Sequence, residues 1–476
     1  MKGFRIVILI LILVLAGTSQ ISALDVGGSV SSATSFSTSA GLANEEGVGL
    51  WLETGKSGPY SFKTKLDFIF SASDPGFYFN PDYLKLDALY EDLEYGPSVL
   101  ATSLGRFRMS DFSGKIFSQK LDGFSINFSY PAVELRLSAG YTGLFFADTG
   151  SLLTTSPSTT MSKTDAAQKS NAADLFEALT DPAAAGRALF QSPRAVEIIT
   201  LTLPQVLLRQ SITLSFVAQE DMRPMFDILS GYSAVPAVLL QEGESIYYGD
   251  QGGAVDTQYI GAGVSGPLID SLYHKVYYYF GTGRAMSYTT DASSATGSSY
   301  SYDTIISHLA GFSLDYYMSW LFNSKVGLAV SFSTGDADAT TYFEGNTSGD
   351  YNQFLPITNG GGGIIFSPGI SNIISGNLSF SAKPLENLDI PFVSSAQFVL
   401  NAMPFFRTVA GPVYVSGINP AYTGNYLGTE IDLTVNLRPF SDLGIITQLG
   451  YFLPEISAFT AADPIFMAKL NVSFSY

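Results

Sequence analysis

Residues 465–476 read IFMAKLNVSFSY, and their reading decides the fold. Phe466, Ala468, Leu470, Val472, Phe474 and Tyr476 share one parity, while Met467, Lys469, Asn471, Ser473 and Ser475 share the other. Side chains alternate along a strand with period two, so these parities are opposite faces. One face is oily and aromatic and the other is mostly polar. Such a strand suits lipid on one side and water on the other. An edge strand of a soluble sheet alternates too, so the rest of the chain must decide.

The stop at a terminal aromatic resembles the C-terminal signature of bacterial outer-membrane β-barrels. That resemblance implies outer-membrane lipid and the barrel-assembly machinery as partners. The other end agrees. Lys2 and Arg5 precede an apolar run over 6–16 that is short for a spanning helix, and Ala23 offers a small residue before a cut. A secretory signal peptide over 1–23 and a barrel over 24–476 are expected. The alternative, an uncleaved anchor, needs a longer apolar run.

The chain has no cysteine, which excludes a lipid-acylated thiol, disulfides and thiolate metal sites. No later stretch has the roughly 18 consecutive apolar residues of a spanning helix, so a membrane can be crossed only by a closed barrel. With 46 Gly, 27 Tyr, 35 Phe and only 14% charged residues, the composition fits a barrel with a wet interior. The net charge of −18 argues against nucleic acid as a partner. Acids in expected loops, such as Glu45, Glu46, Asp221, Asp250 and Asp350, make either a solvated acidic surface or a selectivity device.

About 18 segments of strand length follow the leader, giving an all-β class and one antiparallel transmembrane barrel. Short connections at 56–60, 131–132, 203–209, 321–325, 383–391 and 438–442 alternate with long ones at 148–193, 221–254, 336–371 and 407–425. Outer-membrane barrels keep short turns on the periplasmic side and longer loops outside. If the first strand runs outward, all the long loops fall outside. The 148–193 loop contains an Ala-rich helical insert over 164–190, ended near Pro182 and read either as an inward gate or as a surface cap.

Alternation also names a wall. Lys63, Lys65 and Asp67 oppose Phe62, Leu66 and Phe68, and Glu134 and Arg136 oppose Val133, Leu135 and Leu137. Glu430, Asp432 and Arg438 oppose Ile431, Leu433 and Leu437. With Arg106, Arg108, Arg209, Asp315 and Lys325, these are the expected pore-lining residues, since charge is costly in lipid and cheap in a water-filled lumen. Arg106 and Arg108 share parity with Leu100 and Leu104, which pulls them the other way. The wall charges either select solutes or only keep the interior wet and paired.

Catalytic signals are few. The two histidines, His274 and His308, lie in no nucleophile or acid–base motif, and the chain reads as a non-enzyme without cofactor or bound metal. Asp336 and Asp338 lack the spaced oxygen ligands of a calcium loop. Asn419-Pro420-Ala421 matches a tripeptide of fatty-acid-uptake barrels, but here it stands in a late loop and reads as a turn.

Three stretches carry a further resemblance. Leu104-Gly105-Arg106-Phe107-Arg108 runs on to Leu121-Asp122-Gly123; residues 309–336 read LAGFSLDYYMSWLFNSKVGLAVSFSTGD; residues 427–454 read LGTEIDLTVNLRPFSDLGIITQLGYFLP. Together they resemble alginate-export-type and related substrate-specific porin barrels. The resemblance implies a monomeric barrel with a narrow charged pore, to which Arg106, Arg108, Glu430 and Asp432 carry over by position. The arginine-rich pores of alginate exporters differ from this acidic chain, whose expected wall is of mixed sign.

The function expected is passive, moderately selective passage of small hydrophilic or charged solutes across a bacterial outer membrane. The alternatives are a fatty-acid-uptake-type transporter of hydrophobic substrates and a barrel that anchors a surface or adhesive protein. Circular dichroism in detergent is expected to be β-dominated, with a heat-modifiable gel shift; a helical spectrum contradicts the barrel.

Overall fold

A computed structural model describes residues 24–54, 60–71, 76–91, 97–141, 194–221, 255–290, 298–339, 349–358, 360–415 and 417–476. The expected leader over 1–23 and the expected helical insert over 164–190 lie outside the described residues. Among the described residues the chain forms one 18-stranded sheet. The first nine strands are β1 Leu24–Ser37, β2 Gly41–Thr54, β3 Tyr60–Ser71, β4 Gly76–Glu91, β5 Val99–Ser110, β6 Ser118–Tyr130, β7 Val133–Tyr141, β8 Arg194–Leu207 and β9 Gln210–Asp221. The second nine are β10 Val255–Ile269, β11 Leu272–Thr290, β12 Ser298–Met318, β13 Ser324–Ser333, β14 Ile373–Ala382, β15 Gln397–Arg407, β16 Tyr426–Phe440, β17 Leu443–Pro454 and β18 Ile465–Ser475. A single helical turn, α1 Pro391–Ser394, lies between β14 and β15, where a plain turn was expected. No described helix is long and apolar enough to cross a membrane.

Each strand pairs antiparallel with its neighbours in sequence, and β1 pairs with β18 from Ser29↔Ser475 to Ser37↔Met467. Gly28 and Tyr476 exchange backbone hydrogen bonds of 3.1 and 3.0 Å at the end of that seam. The pairings therefore form a cycle. Closure follows from sequence alternation plus the need to pair every edge: an open edge would present unpaired N–H and C=O groups. Tight hairpins keep the meander in register. Leu208 and Arg209, with φ of 48° and 65°, make a two-residue turn, and Phe322 and Asn323, at 49° and 45°, close the longer turn between β12 and β13.

The two faces are as different as the alternation predicts. Ile260, Val276, Phe312, Leu328, Leu378, Leu400 and Leu470 are exposed on one face. Tyr259, Tyr277, Tyr279, Ile305 and Leu309 are buried on the other. Tyr277 lies against Gly311 of the next strand, where a Cβ would collide with its ring. The glycines of β10 to β12 thus hold large rings flat against the wall, leaving room in the interior.

Leu135 and Arg136 are adjacent in β7 and take opposite faces. Leu135→Arg is expected to lower stability by roughly 2–4 kcal/mol if it sits near midplane, with loss of the folded gel band. Arg136→Glu should leave folding intact. The reverse result would mean that the register of β7 is wrong by one residue.

Candidate functional site

The interior is not an empty tube. The described parts of the connection between β13 and β14, expected as an outer loop, instead run inside the ring. Tyr351 pairs with β12, accepting from Ile306 N at 3.0 Å and donating to Thr304 O at 2.8 Å. Tyr259 of β10 donates its hydroxyl to Leu355 O. Ile357 N and Thr358 N both donate to Ile116 O, at 2.9 and 3.0 Å, in the turn between β5 and β6. Ile365 N and Phe366 N then donate to Glu430 of β16, at 2.8 and 2.7 Å. A segment that touches the β5–β6 turn, β10, β12 and β16 must lie within the cycle of strands. Phe354, Leu355 and Ile357 are accordingly buried although they belong to a loop. We call this inward segment, residues 349–358 and 360–372, the strap.

Two carboxylates seat the ends of this arrangement. Asp111 accepts from the backbone of Ser113, Gly114, Ile116 and Phe117 at 2.8, 3.2, 3.1 and 2.9 Å, and from Tyr279 Oη at 2.8 Å. It folds the β5–β6 turn inward and presents Ile116 O to the strap. Glu430, fully buried, takes two strap amides, and Asp432 takes Ile364 N at 3.3 Å. Hydrogen bonds to a charged group contribute about 1.5–3 kcal/mol each, enough to fold in a loop with little regular structure. Gly363 permits the approach, because a Cβ there would overlap the Glu430 carboxyl group. Phe366 then stacks on Phe452 at 4.5 Å and meets Phe405 edge-on at 5.0 Å.

The strap also joins its neighbouring loop. Asn372, at φ 54°, donates to Val409 O and Pro412 O at 3.1 Å and accepts from Thr408 N and Val409 N at 3.1 and 2.9 Å. Gln353 bridges Ser371 Oγ at 2.7 Å and Pro412 O at 3.1 Å. The side chain of Asp336 accepts from the backbone of Asp338 and Asn352 at 3.2 and 2.9 Å, tying the loop to itself. Asn419 caps a turn by accepting from Ala421 N at 3.0 Å, as its tripeptide predicted.

Charge is divided along the strap. At one arm Lys275 donates to Phe112 O at 2.9 Å and lies 5.7 Å above the Phe112 ring and 5.9 Å above the Tyr277 ring. Lys115 reaches Gly360 O at 3.4 Å. Burial, and next the Lys275 ammonium, lower the pKa of Lys115 in its loop, while Asp111 acts in the opposite sense. At the other arm stand Glu430 and Asp432.

The expected wall residues divide into several groups. Glu134 and Arg136 share parity with buried Ser138, and Asp315 and Lys325 form an ion pair of 3.1 Å on the inward parity of β12 and β13. Glu430 and Asp432 are inward but lie under the strap. Arg108 is corrected: it is exposed on the parity of Leu104, opposite Phe107 and Met109, which join the inner cluster, whereas Arg106 is buried across from Asp122 of β6. Arg108 stands near the end of β5, where the outward face need not be apolar as it must be at lipid depth. Arg209 is corrected as well; it occupies the β8–β9 turn and pairs with Asp270 at 2.9 Å, both exposed. Arg438 is exposed beside the β16–β17 turn, where its carbonyl accepts from Ser395 Oγ at 2.9 Å. The side chains of Lys63, Lys65 and Asp67 lie outside the described residues; their backbones pair with Glu53, Trp51 and Gly49.

Sequence reasoning missed Lys85, paired with Asp87 at 2.8 Å on the inward parity of β4, and it missed Lys115 and Lys275. Lys275 precedes outward Val276, so alternation could have found it. Lys115 stands in a loop, where no period speaks.

No protein-family model matches the chain, and no curated protein matches its sequence. Solved structures do. Pseudomonas aeruginosa OccK10 (OpdN) matches with TM-score 0.52 and 10% identity, over 95% of this chain and 99% of that one. Pseudomonas aeruginosa OpdK, solved with vanillate, matches with TM-score 0.52 and 10% identity over 96% and 99%. Pseudomonas aeruginosa OpdO matches with TM-score 0.50 and 11% identity over 95% and 97%. At this identity the likeness is one of fold. It supports a porin-like β-barrel.

Gly363→Ala forces the strap off Glu430 and is expected to raise single-channel conductance with the β-spectrum unchanged. Unaltered conductance would mean that the strap does not narrow the path.

Proposed function

We propose that this protein is an outer-membrane channel for passive, moderately selective passage of small hydrophilic or charged solutes. One observation carries the reading: an inward strap inside a closed cycle of strands, with Lys115 and Lys275 at one arm and Glu430 and Asp432 at the other. Opposite charges on two sides of a narrowed path set up a transverse field, which favours hydrated polar solutes over apolar ones. Glu134, Arg136, Asp315 and Lys325 continue the mixed lining, joined by Lys85 and Asp87. This mixed lining speaks against a hydrophobic-uptake role and fits a channel rather than an enzyme.

Lys275 between the Phe112 and Tyr277 rings offers a cation beside flat faces. That chemistry would hold a small planar anion, and the solved OpdK structure contains vanillate. The barrel's terminal strand is the element that assembly machinery would read.

Purified protein in a planar bilayer is expected to give steady ion-permeable steps. Arg136→Glu should shift the reversal potential in a salt gradient toward cation preference. A silent barrel that retains detergent or lipid would favour uptake of apolar substrates, and a silent barrel with ligand-binding loops would favour adhesion.

A further inference from the structure

The outward face of β1 and β2 carries a hydrogen-bonded polar cluster among apolar side chains. Ser32 donates to Glu46 Oε1 at 3.0 Å, Asn44 donates to the same oxygen at 2.9 Å, and Thr34 donates to Asn44 Oδ1 at 2.9 Å. These four residues share parity with exposed Val30, Phe36, Leu42, Val48 and Leu50. They are therefore on the face that meets lipid. Their depth is fixed by the seam: Ser32 pairs with Val472 and Thr34 with Leu470, between outward Phe466 and Phe474. A polar island holding a carboxylate is thus ringed by apolar side chains on every described side.

Lipid tails offer no hydrogen bonds, and an ionisable group at membrane depth is costly and marks a functional contact. Both bonds to Glu46 go to one oxygen, whereas a carboxylate can accept about four. We propose that this face is the contact between two copies of the protein, related by a two-fold axis along the membrane normal. Three features point to a second copy. Two copies in one bilayer align their apolar belts, which brings identical islands to the same height without further adjustment. The island carries hydroxyl and amide donors beside amide and carboxylate acceptors, so it is complementary to itself, as a two-fold contact requires. The outward side chains of β1 at the island itself are small (Ser32, Thr34), which lets backbones approach closely, as at interfaces within membranes. The inference goes beyond the channel reading and differs from the monomer implied by sequence resemblance.

The absence of cysteine makes the test clean. Val30→Cys places a thiol beside the island, and Ile260→Cys places one on the outward face of β10, nine strands away around the ring. Oxidation in native membranes is expected to convert most Val30→Cys chains to a doubled band and to leave Ile260→Cys chains single. Native mass spectrometry from mild detergent should give two wild-type chains, falling to one in Asn44→Leu/Glu46→Leu, whose heat-modifiable gel shift shows that it still folds. A wild-type mass of one chain with no more Val30→Cys than Ile260→Cys cross-linking overturns the proposal, as does cross-linking of Val30→Cys to a different protein. Bilayer conductance of the double variant is read separately, so loss of the dimer and failure of the channel reading are distinguishable.

Discussion

The structure depends on one constraint: no strand edge may stay unpaired. The β1–β18 seam satisfies it by joining the two ends of the meander through the Gly28–Tyr476 exchange and the paired rows above it. In a hydrocarbon surround each orphaned backbone group costs several kcal/mol, so closure is a condition of the fold rather than an ornament of it. Closure also creates an inside. Once an inside exists, alternate residues of every strand are enclosed, and the loops at one end can fold into it.

What folds in must bring its own partners. Loop backbone has no ladder to join, and Asp111 and Glu430 fill that need by collecting amides from segments that are neither helix nor strand. Both carboxylates are buried, which is tolerable because each accepts backbone amides on its oxygens. The same arrangement leaves Lys115 and Lys275, with the Asp111 carboxylate beside them, at one arm of the strap and Glu430 and Asp432 at the other. Structural anchoring and the electrostatic character of the interior therefore share residues. A change at Glu430 alters both, which makes backbone probes such as Gly363 more informative than charge reversals there.

The outer surface carries the complementary lesson. Around most of the ring a strand may show lipid only apolar side chains, and Ile260, Leu328, Leu378 and Leu470 obey. The Ser32–Glu46 island departs from that pattern without disturbing the pairing of β1 with either neighbour. Backbone pairing and side-chain solvation are separate requirements in a barrel, so a face can be well ordered as a sheet and still call for a covering partner.

Strand number, antiparallel order and the two faces were legible in the sequence, because period-two alternation and the parity of short and long connections are local properties. Residues 465–476 showed their outward row directly, and Glu134, Arg136, Asp315 and Lys325 followed from the same period. Arg108 misled because the resemblance named it while its parity with Leu104 said otherwise; the register won. The strap was illegible. Residues 349–372 are Gly-rich and aperiodic, as an outer loop would be, and nothing local records that Ile116 O and the Glu430 carboxylate wait for their amides. Alternation determined which side of the wall each strand residue faces, since a strand has only two sides. Only the tertiary structure decided which loop enters the barrel, because that depends on acceptors brought together from strands far apart in the chain.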